Sequence, residues 1–273
     1  MSFSPINDDH AIRSAKFAVQ LSQPVPNSLI EKLSAHHAPW RGDLPATAVT
    51  EHQGFIAGPD GKPIMSQFPG VEFSFKRPDG NSVWLLRVAG HSVEVETTRY
   101  TRWGPTWERA LRFLEGSLRG LLEASEDVPL GVGGVALTVL DVFTTPDAEP
   151  SFDDLLNKRE FPENLLKRGA LWHCHTGWFT KRLNAMILNQ LNVDSRQEQK
   201  NNVISGDVAT SVDVSILHKQ GFRINEPLNA TINGLYDVVK IVSDEMSFMH
   251  GENKKILCNL LSESMGVKIG VVP

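Results

Sequence analysis

The stretch TRYTRWGPTWERALRFLEGSLRGLLEA, residues 98–124, decides the reading of the fold. Its apolar residues Trp103, Trp107, Ala110, Leu111, Leu114, Leu118, Leu121 and Leu122 fall at offsets 0, 4, 7, 8, 11, 15, 18 and 19. That spacing is one continuous stripe of an amphipathic helix, which buries the stripe against another layer. Pro105 suits the first helical turn, where its missing N–H costs nothing. Glu108 with Arg112 and Glu115 with Arg119 are i,i+4 pairs in the favoured acid-first order.

Upstream of the helix the chain alternates as strands separated by turn sequences. Pro59-Asp60-Gly61, Pro78-Asp79-Gly80 and Ala89-Gly90-His91 are spaced like hairpin turns, with Val71 to Lys76, Ser82 to Val88 and Ser92 to Arg99 as strands. Before this meander, Ile12 to Leu21 reads as a strand, Asn27 caps a short helix to about Ala38, and 39–48 is a connection. After the helix, the glycines at 131–134 read as a turn leading into Val135 to Phe143. That run is apolar on both alternating sets and is expected to be a central strand covered on both faces.

Residues 146–168 are polar and Pro-rich, with a short helix near Ser151 to Asn157 capped by Ser151, and read as a linker. It divides a 1–145 half from a 169–273 half. The latter reads as strands at Ala170 to Phe179, Leu183 to Val193 and Val203 to Leu217, then a long helix from Leu228 to Leu261 kinked near Gly251. The expected fold is α+β: two antiparallel halves, each a sheet backed by one long helix, with the element order pseudo-duplicated.

Composition excludes several classes. With 27 basic and 32 acidic residues the net charge is -5, which disfavours phosphate backbones and anionic membranes. Two cysteines, Cys174 and Cys258, fit a reducing compartment, and the N-terminal sequence has no signal-peptide pattern, so the cytoplasm is expected. There is no nucleophile elbow, phosphate loop, zincin helix or Rossmann fingerprint, so no cofactor is implied and an enzyme is disfavoured.

Tyr100, Trp103 and Trp107, with Arg99 and Arg102 beside them, occupy the strand-to-helix corner and are the candidate binding residues. Aromatics there either wedge the helix onto the sheet or line a pocket, and their hydroxyl and indole N–H groups need partners in either case. His173 and His175 share one strand face about 7 Å apart. With carboxylates such as Asp207 or Asp213 they define an alternative, a metal-dependent hydrolase or nuclease. Two histidines do not complete a site, so no metal is assigned. Asp79 with Glu94 and Glu96 lacks the lysine of a nuclease centre and reads as turn and strand sequence. Arg99, Arg102, Arg109, Arg112 and Arg119 along helix 103–124 define a third reading, nucleic-acid binding, which the acid-paired helix face disfavours.

The segment Thr98-Arg99-Tyr100-Thr101-Arg102-Trp103 resembles the Tyr-Thr-x-Trp strand-to-helix segment of a family of sporadically distributed, uncharacterised bacterial and archaeal proteins. The opening strand and helix, Pro150 to Leu156, Thr210 to Ile216 and the closing helix resemble its other segments. Where that family has Arg-Tyr-(Ile or Val)-Asn, this chain has Leu140-Asp141-Val142-Phe143. The resemblance implies company in antiviral-defence regions of genomes. With no catalytic motif, it points to a non-enzymatic binding or regulatory component acting through a protein partner or as a homodimer. Val93 and Val95, on the last meander strand with only Glu94 and Glu96 as gatekeepers, mark the expected pairing edge.

Overall fold

The computed structural model describes residues 2–35, 38–57, 62–126, 128–167, 169–183, 185–201 and 208–271. In chain order the elements are β1 (Ser4–Pro5), β2 (Ile12–Leu21), α1 (Asn27–Ala35), β3 (Ala46–Ala57), β4 (Pro63–Lys76), β5 (Ser82–Ala89), β6 (Ser92–Thr97), α2 (Trp103–Ala124) and β7 (Leu130–Thr145). They continue with α3 (Glu163–Leu166), β8 (Trp172–Arg182), β9 (Ala185–Asn201), β10 (Val208–Ala230), α4 (Leu235–Leu260) and α5 (Glu263–Lys268). Single turns of 3-10 helix stand at Ala38–Trp40 and Phe152–Asp154.

All of these strands belong to one antiparallel sheet of ten, ordered β3-β4-β5-β6-β2-β7-β10-β9-β8, with β1 paired to β7 beside the end of β2. The two expected sheets are therefore continuous, joined where β2 pairs with β7 from Ile12↔Asp141 to Leu21↔Val132. The edge expected at Val93 and Val95 is corrected by the same finding: β2 covers β6 through Phe17↔Val95 and Val19↔Val93. The outer strands are instead β3 and β8.

Helices cover one face of the sheet. α1 packs on β4 and α2, α2 on β5 and β6, and α4 on β7, β10 and α2. The stripe read from the sequence is buried: Trp107, Ala110, Leu114, Leu118, Leu121 and Leu122 share a core with Phe17 of β2, Phe73 of β4, Leu137 of β7 and Met246 of α4. On β10 the same side carries Val212, Val214 and Ile216, which alternate with half-exposed Ser211, Asp213 and Ser215. A second core gathers Phe152, Leu155, Leu156 and Phe161 against Trp172, Val193, Val214 and Leu260, so residues of the 146–168 segment pack into the fold. The opposite sheet face carries no helix among the described residues. Its charges are tied across strands: Lys16 meets Glu94 and Glu96 at 3.6 and 3.5 Å, and Arg87 meets Glu72 at 2.7 Å.

Several local expectations change. The closing helix starts at Leu235, because Leu228 still belongs to β10 beyond a register shift after Arg223, and it runs unbroken through Gly251 to Leu260. The glycines at 131–134 lie inside β7. A Cβ at Gly134 would stand 2.5 Å from the Phe222 carbonyl oxygen, so close backbone approach explains that glycine. Near Ser151 there is one 3-10 turn, without a side-chain cap. Arg112 reaches Asp43 at 2.9 Å, while Glu115 with Arg119 pairs as read, at 3.1 Å. Pro78-Asp79-Gly80 does turn, with Gly80 at φ +86 and Asn81 N–H donating to Asp79 Oδ1 at 2.9 Å. Pro59-Asp60-Gly61 lies outside the described residues.

Candidate functional site

A cleft of about 510 Å³ opens where the β2–β7 seam meets the start of α2 and the end of α4. Local chain geometry builds it. Between β1 and β2 the chain leaves the sheet, closes a bridge between Asn7 and His10, and returns at Ala11, whose carbonyl accepts from Val142 N–H at 2.8 Å. This excursion brings Asp9 and His10 to one wall. The corner before α2 supplies Tyr100, Thr101, Arg102 and Trp103, α4 supplies His250, Asn253 and Lys254, and 267–271 closes the far side.

Asp141 of β7 lies at the floor. Its backbone pairs with Ile12 on one side and Ile216 on the other, and the residue is 3% exposed. Its Oδ1 has no hydrogen-bond partner among the described residues. Burial pushes this carboxyl up from 3.8 to about 7, since the charged form loses its hydration without a compensating cation. Tyr100 is pushed up to about 12, by burial first and by the charge of Asp141 second. His250 is pushed down to about 4, by burial first and by Lys254 second. Its ring lies flat on Trp103, 3.9 Å between centroids and 1° between planes. His10 meets Tyr100 edge-on at 5.5 Å.

The predicted residues divide. Tyr100, Arg102 and Trp103 line the cleft; Trp107 and Arg99 do not. Trp107 belongs to the core, 6% exposed, packed on Phe17 at 5.3 Å and donating its indole N–H to Ser243 Oγ at 3.2 Å. Arg99 is exposed and outside the lining. Reading the sequence missed Asp141, His250, Lys254 and Lys268. For Asp141 the signal is an acid inside a run read as covered on both faces, a position where carboxylates are rarely found without a purpose.

Behind the cleft a buried polar cluster continues from Asn253. His218 meets Asn253 Oδ1 at 2.8 Å and Asn189 Oδ1 at 3.2 Å, and its ring stacks with Trp178. Burial lowers its proton affinity, countered in part by Asn253.

The other candidates lie outside the lining of this cleft. His173 and His175 stand on β8 with ring centroids 5.3 Å apart, and His175 lies 3.8 Å from Asp194. Asp213 instead accepts from Thr144 Oγ1 at 2.6 Å, and Asp207 lies outside the described residues. Among the described residues no group of three or more His, Cys, Asp and Glu side chains is placed to share a metal. Glu94 and Glu96 are engaged by Lys16, and Arg109 and Arg112 both grip Asp43 at 2.9 Å, which uses two of the five arginines read as a nucleic-acid face. No helix of the described residues is long and apolar enough to cross a membrane. No family model matches the chain, and no curated protein or solved structure is significantly similar to it.

Proposed function

We propose that the protein is a non-enzymatic binding component whose working site is the cleft floored by Asp141, and that it acts through a protein partner or a second copy of itself. One observation carries the reading: Asp141, 3% exposed and with a buried Oδ1 that has no hydrogen-bond partner among the described residues, lines the cleft. A buried acceptor without a donor costs the fold free energy, and a ligand that donates to it recovers that cost. The segment on which the family resemblance rests, Thr98 to Trp103, reaches this cleft through Tyr100, Arg102 and Trp103, while Asp141 lies in Leu140 to Phe143, where the chain departs from that family. That resemblance supports a setting in bacterial antiviral defence, and the two cysteines support a reducing, cytoplasmic location. The test is chemical-shift mapping with small amidine and aminopyrimidine fragments: shifts gathered around Asp141 and Tyr100, lost in Asp141→Leu, are expected, and shifts elsewhere or none sink the reading.

The partner reading has its own support. We infer two related halves, one opened by β2 and ended by α2, the other opened by β7 and ended by α4, with the opening strands paired antiparallel at the centre. On this reading β7, which the sequence places at the close of the 1–145 half, begins the second half instead. Their helices share one face, so the bare face and the β3 and β8 edges are the surfaces left for a partner. Phe179, Met186 and Leu188 are exposed at 64%, 47% and 39% on the β8–β9 hairpin. A closed homodimer is the expected form. Light scattering should give twice the chain mass of 30.2 kDa at micromolar concentration; the mass of one chain would sink the homodimer and leave a different protein as partner.

A further inference from the structure

We propose that the cleft binds a nucleoside monophosphate, with the base directed to Asp141 and the phosphate to a rim of Arg102, Lys254 and Lys268. The inference deepens the binding reading above and rests on it. Its first support is the floor. Asp141 lines the cleft, is 3% exposed and has no hydrogen-bond partner at Oδ1 among the described residues, so an N–H donor that reaches the floor finds an acceptor with no competing bond.

The second support is the rim. Arg102, Lys254 and Lys268 are exposed and line the cleft. Among the described residues Lys268 Nζ donates to the neutral Ser4 Oγ at 3.3 Å, a partner that leaves its charge uncancelled. Opposing these three cations at the rim is Asp9, 4.0 Å from His10 Nε2. The mouth is therefore net positive on a chain of net charge -5, which favours an anion at this place on the surface.

Floor and rim together narrow the class. A donor is wanted at the buried end and an anion at the exposed end of one molecule. An α-amino acid carries its ammonium and carboxylate on a single carbon and serves one end at a time. Inorganic phosphate serves the rim alone. A nucleotide holds the N–H edge of its base and its phosphate at opposite ends, and the flat base matches walls that include Ile12, Leu257 and the Trp103–His250 stack. The volume of about 510 Å³ falls within the usual range of small-molecule sites, about 300–1,000 Å³. Guanine presents two adjacent N–H donors, the pattern a single carboxylate accepts best.

Isothermal titration of the full chain with guanosine monophosphate, guanosine and inorganic phosphate tests this. Saturable binding of the monophosphate is expected, with guanosine and phosphate each at least about 10-fold weaker. Asp141→Leu, which keeps the floor filled with an apolar group, should weaken the monophosphate by about 10-fold or more, the worth of a hydrogen bond to a charged group. Lys254→Glu, on the exposed rim, should weaken it and reduce the dependence on salt while leaving the fold intact. Absence of monophosphate binding, or binding indifferent to both substitutions, overturns the nucleotide assignment. If amidine fragments still bind in an Asp141-dependent way, the ligand class is wrong and the cleft stands; if they do not, the binding reading falls with it.

Discussion

Replacing Asp141 with asparagine is expected to stabilise the protein above neutral pH and to leave it nearly unchanged near pH 4. The sign follows from where protons are held. The carboxyl loses its proton near 3.8 when the chain is unfolded and near 7 when it is buried in β7. Below the lower value both states are protonated and the group contributes nothing. Between the two values the unfolded chain ionises and the folded one does not, so stability falls as pH rises. Above the upper value the full penalty is present, about 4 kcal/mol at about 1.4 kcal/mol per tenfold change in proton affinity. Asparagine is neutral throughout, so the variant gains on the wild type across that window. His250, Tyr100, His10, Lys254 and Lys268 share the cleft and remain in both proteins. His250 adds a loss of stability toward acid pH, since burial holds its folded-state value near 4, and the difference between the two proteins removes it. Denaturant melts from about pH 4 to pH 8 measure the curve; a difference that stays flat with pH would mean that the carboxyl is not desolvated by folding.

Leu114→Ala is expected to cost roughly 2 to 5 kcal/mol, the usual loss when a fully buried leucine is truncated and its cavity only partly collapses. Leu114 is 1% exposed and sits in the core shared by α2, the sheet and α4. Against a total stability of about 5–15 kcal/mol for an ordinary domain, that loss brings the fold near its limit. It also tests the layer assignment, because α2 carries both the core stripe and, through its first residues, one wall of the cleft. A change below about 0.5 kcal/mol, typical of surface positions, would contradict the burial of this helix face.

How much of this was legible depended on whether the information was local. The α2 stripe, β2, β5 and the turn at Gly80 are written in spacing and turn chemistry, and the structure places them as read. Pairing between distant strands is not written in any single segment. Nothing in 92–97 announces that β2, far away in sequence, will cover β6, so the edge was expected in the wrong place. The end of β10 was hidden for a different reason: the alternation reads as a strand only to Leu217, yet pairing runs on to Arg223↔Gly134, passes an irregularity and resumes at Leu228↔Val132. The corner aromatics were legible as candidates by residue type. Their division into cleft and core was not, because Trp103 and Trp107 are one helical turn apart on the same stripe and only tertiary packing separates them. The cationic rim was the least legible part, since Lys254 and Lys268 are ordinary exposed lysines until α4 and α5 bring them to one mouth.

Whether Asp141 is a buried acceptor at the floor of a ligand site is reported directly by its own carboxyl carbon. During a pH titration followed by carbon NMR, the Asp141 signal should move with a midpoint near 7 in the free protein. Saturation with an amidine fragment that donates to the carboxylate should draw that midpoint downward, because a bound donor favours the charged form. A midpoint near 3.8, unmoved by the fragment, would contradict both the buried floor and the site built on it.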